Sequence, residues 1–200
     1  MKIVCKSLLF LLLDSSQASA QLPVPTGIAP VTSASFGFSN LLRGASPSGR
    51  IGLNGASAGI TADFSDGNGV MLDFGYLRAS NVFGTGHRND VLSYMAGPVW
   101  YLKRRPKFVV NVHALVGGAR VRGVFPLSSG GFAVGYVHHL AWAFGGGIEH
   151  WFSHSMALRV SSDAVHTSFY DSSAMIHGQY DLRATASLLY YFGKGRGKRR

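Results

Sequence analysis

The sequence predicts an all-β protein, a closed antiparallel up-and-down transmembrane β-barrel of about eight strands, and three observations predict it. Charged residues make up only 14% of the chain, whereas soluble domains usually have about 25%. No internal run approaches the roughly 18 apolar residues that a transmembrane helix needs. Several segments instead alternate apolar and polar residues with the period of two that is typical of β-strands.

Residues 1–20 have the three parts of a secretory signal peptide. Lys2 and Lys6 give a basic start, a short apolar run follows at 8–13, and Ala18-Ser19-Ala20 is a small-residue cleavage site. We expect cleavage after Ala20, a short periplasmic segment at 21–30, the barrel at 31–193 and a basic tail at 194–200. The only cysteine, Cys5, lies inside the signal peptide. The mature chain would therefore have no thiol for a disulfide, a metal site or catalysis.

The last strand is the clearest of the predicted elements. One face carries an apolar residue at every second position: Tyr180, Leu182, Ala184, Ala186, Leu188, Tyr190 and Phe192. The other face carries Asp181, Arg183, Thr185 and Ser187. The preceding segment repeats the pattern, with Met156, Leu158 and Val160 opposite Arg159, Ser161 and Asp163. Such alternation predicts strands with one apolar and one polar face.

Eight strands and their connections account for the predicted barrel. We predict strands near 31–41, 51–64, 69–78, 90–102, 107–121, 138–151, 156–168 and 179–192. Short turns at 65–68, 103–106 and 152–155 alternate with longer stretches near 42–50, 79–89, 122–137 and 169–178. Short periplasmic turns and longer outer loops are typical of outer-membrane barrels. We expect closure because hydrocarbon offers no partner for the polar groups of an open sheet edge.

The distribution of charge indicates which face meets lipid. The six lysines lie in the signal peptide, one connection and the tail, and Glu149 is the only glutamate. Soluble β-proteins usually place lysine along water-facing strands and edges. We therefore expect the apolar faces to point outward, with aromatic girdles near the strand ends. The predicted lipid-facing girdle comprises Tyr76, Tyr94, Trp100, Trp142, Tyr180, Tyr190 and Phe192. The alternative is a soluble, lipocalin-like barrel with its apolar faces inside.

Short patterns in the strand cores carry a resemblance to a known group of proteins. They are Asp73 to Tyr76, Met95-Ala96-Gly97-Pro98, His113-Ala114-Leu115-Val116-Gly117-Gly118, Phe144-Gly145-Gly146-Gly147-Ile148, and Leu182-Arg183-Ala184 followed by Tyr191-Phe192-Gly193. With these the chain resembles, over about residues 31–193, the small eight-stranded outer-membrane barrel superfamily, the OmpA- and OmpX-like proteins. The resemblance implies a barrel in the cell outer membrane. The chain departs from the pattern because it continues beyond the terminal aromatic Phe192 to Arg200.

The polar faces predict two cross-strand ion pairs inside the barrel. A turn centred near 153–154 places Glu149 opposite Arg159, and a loop centred near 173 places Asp163 opposite Arg183. Asp73 and Asp181 are candidates to join these pairs. The alternative is that these are scattered, water-solvated charges.

Signals for catalysis or metal binding are weak. Ser153-His154-Ser155, near Glu149 and His150, suggests a hydrolase, and the resemblance to eight-stranded barrels implies that its substrate would be lipid A. These residues fall at a predicted periplasmic turn, however, away from the outer leaflet. A catalytic triad is moreover defined by spatial roles and not by neighbouring positions. The adjacent His138 and His139 would point to opposite faces of a strand. We therefore expect no metal site and no cofactor.

The basic tail, residues 194–200, would suggest nucleic acid in a cytosolic protein. Behind a signal peptide it would meet anionic headgroups or envelope polymers in the periplasm, so we expect no nucleic-acid partner. The alternative is a solvated tail without a partner.

These observations predict a monomeric, non-enzymatic outer-membrane protein with a filled lumen. Eight strands leave an interior just wide enough to be filled by side chains. Its role would be in envelope structure or surface contact through the outer loops, and its partners would be outer-membrane lipids, lipopolysaccharide and the outer-membrane assembly machinery. The alternatives are a passive pore for small solutes and a lipid A-modifying acyl hydrolase or transferase.

Overall fold

The computed structural model describes residues 31–44, 49–64, 67–104 and 107–192. The predicted signal peptide, the segment at 21–30 and the basic tail lie outside the described residues, as do residues 45–48, 65–66 and 105–106 in three of the connections. Within the described part of the chain, no helix is both long and apolar enough to cross a membrane.

Eight antiparallel strands form one closed barrel in sequence order. The strands are β1 (Val31–Gly44), β2 (Arg50–Asp63), β3 (Asn68–Ala79), β4 (Asn89–Arg104), β5 (Phe108–Pro126), β6 (Phe132–Trp151), β7 (Met156–Tyr170) and β8 (Ile176–Phe192). Each strand pairs with the next, and β8 pairs with β1 from Thr32 opposite Phe192 to Leu42 opposite Leu182. The predicted fold class, a closed eight-stranded up-and-down barrel, is confirmed.

The two faces of the strands separate as the alternation predicts. In β8, Asp181, Arg183 and Ser187 are buried inside the barrel, whereas Leu182 and Leu188 are exposed on the exterior. Large apolar side chains form the exterior of every strand, including Phe36, Ile60, Phe74, Leu92, Val116, Phe144, Val160 and Leu182. The interior differs from expectation because it holds a large apolar cluster as well as small and polar residues.

The barrel has two distinct ends. The pairs β2–β3, β4–β5 and β6–β7 are joined at one end, here called the turn end, and the pairs β1–β2, β3–β4, β5–β6 and β7–β8 are joined at the other, the loop end. The predicted long stretch at 122–137 is wrong, because β5 and β6 occupy most of it and pair as far as Pro126 opposite Phe132. The chain reverses at Gly130 and Gly131, whose φ angles of 91° and 86° suit glycine. Where a strand extends beyond the apolar band of the barrel, its residues need not alternate between apolar and polar. The Gly-rich sequence of such a segment therefore resembles that of a loop.

The predicted boundary of the turn at 103–106 is also wrong. The fourth strand continues through Lys103 to Arg104, so that one lysine does lie within a strand. The pairing of β4 with β5 shifts register between Tyr101 and Lys103. Such a bulge inserts a residue and extends the strand beyond its regular alternation.

One seam of the barrel opens at the loop end. The pairing of β6 with β7 ends at Trp142 opposite His166, although β6 continues to pair with β5 as far as Phe132. Beyond Trp142 the β5–β6 hairpin has no ladder pairs with β7, although the Tyr170 side chain lies against Gly135. A backbone hydrogen bond joins the two sides in the connections, where the Ser128 amide donates to the Ser172 carbonyl oxygen at 2.8 Å.

Candidate functional site

The lumen is the first region in which polar side chains converge, and its layer nearest the turn end is centred on Glu149. Arg159, the residue opposite Glu149 on β7, donates to Glu149 Oε1 through Nε at 3.1 Å and Nη2 at 2.7 Å. Asn111 Nδ2 donates to the same oxygen at 3.1 Å, and the Tyr191 hydroxyl donates to Oε2 at 2.7 Å. The carboxylate is fully buried, so its charge is compensated entirely by protein donors, as a buried charge requires.

A second group of polar residues completes this layer. The Tyr101 hydroxyl donates to Asp63 Oδ1. The Tyr191 ring packs on Trp151 with centroids 4.2 Å apart. These bulky side chains fill the lumen across its width, because an eight-stranded barrel has room for little more.

The middle layer of the lumen is centred on Arg183. Its Nη1 lies 2.6 Å from Asp73 Oδ1, and its Nη2 and Nε each lie 2.9 Å from Asp163 Oδ2. His113 Nε2 lies 2.8 Å from the other oxygen of Asp163. Four strands are thereby connected through side chains: β3, β5, β7 and β8. An arginine that bridges two carboxylates uses the forked donor geometry of the guanidinium group.

The third layer, toward the loop end, is mainly apolar. Leu41, Leu53, Leu77, Val91, Val121 and Val137 are buried there. Asp181 lies at its edge, where it accepts hydrogen bonds from Thr167 Oγ1 at 3.1 Å and Gln179 Nε2 at 3.1 Å. The lumen is therefore filled by an apolar layer toward the loop end and by two charged networks between that layer and the turn end.

The structure brings together both predicted residue pairs. Glu149 contacts Arg159, Asp163 contacts Arg183, and Asp73 joins the second pair. Asp181 does not join them and instead lies near Arg43. Sequence reasoning missed His113 and Asn111, although both share the inward parity of Val109 and Leu115 on β5.

The predicted girdle residues all lie on the exterior. Their exposed fractions range from 36% for Trp142 to 67% for Tyr180. Trp100, Tyr190 and Phe192 lie toward the turn end, and the other four lie toward the loop end. Two aromatic levels on an apolar exterior are typical of a barrel that spans a bilayer.

An arginine-rich patch lies on the exterior at the loop end, across β3 to β6. It consists of Tyr76, Arg78, Arg88, Asp90, Arg120, Arg122 and Tyr136. Arg78 Nε lies 2.7 Å and Arg88 Nε 3.2 Å from the shared carboxylate of Asp90. The Arg120 guanidinium lies over the Tyr136 ring, 5.0 Å from its centroid. The surface holds four arginines and one carboxylate, so this region, here called the arginine patch, carries net positive charge.

The residues considered for catalysis are separated in space. Ser153, His154 and Ser155 form the exposed β6–β7 turn. Glu149 points into the lumen and is held by Arg159, whereas the His150 ring packs on Phe108 with centroids 4.7 Å apart. No cluster of three or more histidine, cysteine or acidic side chains that could hold a metal ion occurs among the described residues.

Comparison with solved structures identifies the class of this fold. The Yersinia pestis attachment invasion locus protein Ail, solved in complex with the heparin analogue sucrose octasulfate, has 15% sequence identity and a TM-score of 0.59, covering 82% of this chain and 100% of Ail. Neisserial surface protein A has 11% identity and a TM-score of 0.59, with 82% and 97% covered. OprG of Pseudomonas aeruginosa has 10% identity and a TM-score of 0.56, with 82% and 96% covered. The sequence matches no family model and no curated protein.

The closed fold and the apolar exterior together define the class of protein, a β-barrel with the surface of a membrane-spanning barrel. Within that class, it has the fold of the small eight-stranded barrels, and the predicted resemblance is confirmed at the level of the fold.

Proposed function

We propose that the protein is a non-enzymatic outer-membrane barrel with a filled lumen, which acts in envelope structure or surface contact through its loop end. The observation that carries the proposal is the packed interior. Two charged networks and an apolar layer, each held by residues from several strands, lie in series along the lumen. A barrel of this kind is a rigid support for the surface that it presents and offers solutes no continuous path.

Single-channel recording distinguishes this proposal from a passive pore. We expect purified protein in planar bilayers to give no steady conductance steps, because a permeating ion would have to displace the Arg183 and Arg159 ion pairs. A trimeric porin in the same membranes provides the positive control. Reproducible steps of nanosiemens size that scale with protein concentration would contradict the filled lumen.

The arginine patch supports a partner on the outer surface, the phosphate groups of lipopolysaccharide. The exposed residues Arg78, Arg120 and Arg122 lie on the exterior at the loop end. The aromatic residues on the same side of the barrel would lie at the level of the lipid headgroups. Arginine binds phosphate through two parallel hydrogen bonds, and Tyr136 holds Arg120 by stacking. Ail, which has the same fold, was solved with a polysulfated ligand, so polyanion binding by such a barrel has a precedent.

Thermal unfolding in detergent, with and without added lipopolysaccharide, tests this partner. We expect lipopolysaccharide to raise the Tm of the wild type, and dephosphorylated lipopolysaccharide to raise it less. A triple variant, Arg78→Gln, Arg120→Gln and Arg122→Gln, should lose most of the shift. The matched variant with lysine at the same three positions keeps the charge and should keep most of it. Equal shifts for the wild type and the glutamine variant would contradict the assignment.

The sidedness of the barrel is part of the proposal. We propose that residues 1–20 direct export and that the loop end faces the outside of the cell. The mature chain would lack cysteine, so single reporters are available: a membrane-impermeant maleimide should label Thr85→Cys in intact cells and Ser153→Cys only after lysis. The opposite labelling would reverse the orientation. Recovery in the outer-membrane fraction, with a band that shifts on boiling in SDS gels, is expected of the folded barrel.

The position of Ser153-His154-Ser155 supports a non-enzymatic role. In the proposed orientation these residues face the periplasm, and Glu149 is engaged inside the barrel. Mass spectrometry of lipid A from cells with and without the protein should give identical acylation. A change that Ser153→Ala abolishes would favour the lipid A-modifying alternative.

We also propose that the chain inserts as a monomer through the outer-membrane assembly machinery, with Phe192 serving as its terminal aromatic. Removal of residues 193–200 should then leave assembly intact, whereas Phe192→Ala should reduce it. Mass measurement of the detergent complex by light scattering tests the monomer.

A further inference from the structure

A half-open cavity of about 280 Å³ lies at the loop end of the barrel. Its walls include Ile51, Phe83, Phe125, Phe169 and Tyr170, together with Arg43. Phe125 stacks on Tyr170 with centroids 5.0 Å apart and meets Phe169 edge-on at 6.0 Å. The lining is thus mainly aromatic and aliphatic, as in sites that bind small organic molecules.

Arg43 is the charged residue that distinguishes this cavity. It is 2% exposed, and its Nη1 and Nη2 atoms have no hydrogen-bond partner among the described residues. The guanidinium carbon lies 4.6 Å from the centroid of the Phe169 ring, which supports one face of the group. A buried guanidinium whose terminal donors are unpaired is unusual, because buried charges normally have bonded partners.

The nearby acidic groups are engaged elsewhere. The charge of Asp181 acts on Arg43 across space, but its oxygens accept hydrogen bonds from Thr167 and Gln179. Asp171, on the cavity wall, accepts hydrogen bonds from its own loop and lies 3.2 Å from His177 Nε2. Arg43 lines the cavity, and its two terminal nitrogens carry four N–H groups for which the described residues supply no acceptor.

We propose that this cavity binds a small amphipathic anion, an aromatic or short aliphatic group that carries one carboxylate. The Arg43 guanidinium, whose terminal nitrogens are covered by protein in the empty barrel, turns toward the cavity when the anion binds. The carboxylate then accepts two parallel hydrogen bonds from Nη1 and Nη2, the geometry that guanidinium and carboxylate groups share. The apolar part lies against Phe83, Phe125 and Tyr170. Asp181 restricts the site to a single negative charge, because a dianion would be repelled by the neighbouring carboxylate.

NMR titration of the ¹⁵N-labelled barrel in zwitterionic micelles tests the site with 3-phenylpropionate as the probe. We expect saturable shifts of the Gly44, Ile51 and Val124 amides. The uncharged analogue 3-phenylpropionamide should bind about tenfold more weakly, a difference equivalent to about 1.4 kcal/mol. Inorganic phosphate, which lacks an apolar part, should give no saturable shift.

Two variants separate the site from nonspecific partitioning. Arg43→Gln should bind the carboxylate and the amide equally weakly, whereas Arg50→Gln, which removes an exposed arginine from the same end, should bind like the wild type. Heat-modified mobility on gels checks that both variants fold. If Arg43→Gln does not fold, equal affinity of the wild type for the two probes overturns the proposal, and tenfold preference for the carboxylate supports it. Shifts spread over the lipid-facing exterior, or unchanged affinity of Arg43→Gln, also overturn it.

Discussion

Replacing Glu149 with methionine removes the acceptor of four hydrogen bonds in the layer of the lumen nearest the turn end. Arg159, whose side chain is 6% exposed, then retains a buried charge without a counterion. Loss of one member of a buried ion pair typically costs about 3 to 5 kcal/mol. The Asn111 amide and the Tyr191 hydroxyl also lose their acceptor, which adds about 1 kcal/mol. We expect Glu149→Met to lower the free energy of unfolding by about 4 to 6 kcal/mol.

Adding Arg159→Met to that variant should restore stability. The double variant no longer buries a charge, and its remaining cost is that of the two unpaired neutral donors, about 1 kcal/mol. A second substitution in the core of a protein usually destabilises it further, so a gain of about 3 to 5 kcal/mol is a specific consequence of the ion pair.

Urea unfolding from phospholipid vesicles, followed by the fluorescence of Trp100, Trp142 and Trp151, measures both variants. Arg50→Met, a change at an exposed arginine, is the control and should stay within about 0.5 kcal/mol of the wild type. If Glu149→Met is too unstable to fold, the double variant should regain the heat-modifiable band. The reasoning is refuted if Arg159→Met destabilises the Glu149→Met variant further, because the two charges would then not be coupled.

Three further predictions concern the middle layer and the loop end. Arg183→Glu should abolish or strongly reduce folding. Adding Asp163→Arg should rescue folding only in part, because the carboxylate of Asp73 then faces the new glutamate. Full rescue, or no rescue, would contradict the network. Gly145→Ala should cost about 2 kcal/mol or more because its methyl group would overlap Asp163, whereas Gly52→Ala, with no atom nearer than 3.8 Å, should be neutral in the same unfolding assay. Asp171, in the β7–β8 loop, accepts hydrogen bonds from the Met175 amide and from the Ser173 amide and hydroxyl, and these bonds hold the pKa of its carboxyl below the usual value. NMR titration of the carboxyl should show the lowered pKa. The loop should lose stability as the pH falls through that pKa, because protonation removes the charge that the donors stabilise.

The strands that could be predicted best are those in which one face is polar and the other apolar. In β8 the alternation from Tyr180 to Phe192 assigned every side chain to its correct face, because the period of two fixes the parity of a strand once one position is known. The same parity placed Glu149 opposite Arg159 and Asp163 opposite Arg183.

Prediction failed where both faces are apolar or where composition resembles a loop. Leu41, Leu53 and Leu77 point inward, and no alternation of polarity at these positions distinguishes them from the lipid-facing leucines. Arg43 was assigned to a connection, although its inward parity follows from Leu41 on the same strand. Its burial depends on aromatic residues of β5 and β7 that are distant in sequence, and strand periodicity carries no information about such contacts.

The seam between β6 and β7 has a consequence for the backbone amides along it. From Phe132 to Ala141, β6 pairs with β5 on one side and has no ladder partner in β7 on the other. In an antiparallel strand, successive amides point to alternate sides. Every second N–H group in this stretch therefore lacks a ladder acceptor, and its deuterium uptake should be fast while its immediate neighbours remain protected. Along this part of β6, fast and slow hydrogen exchange should therefore alternate from one residue to the next. The alternation should stop at Trp142, where pairing with β7 begins and the wall of the barrel becomes continuous.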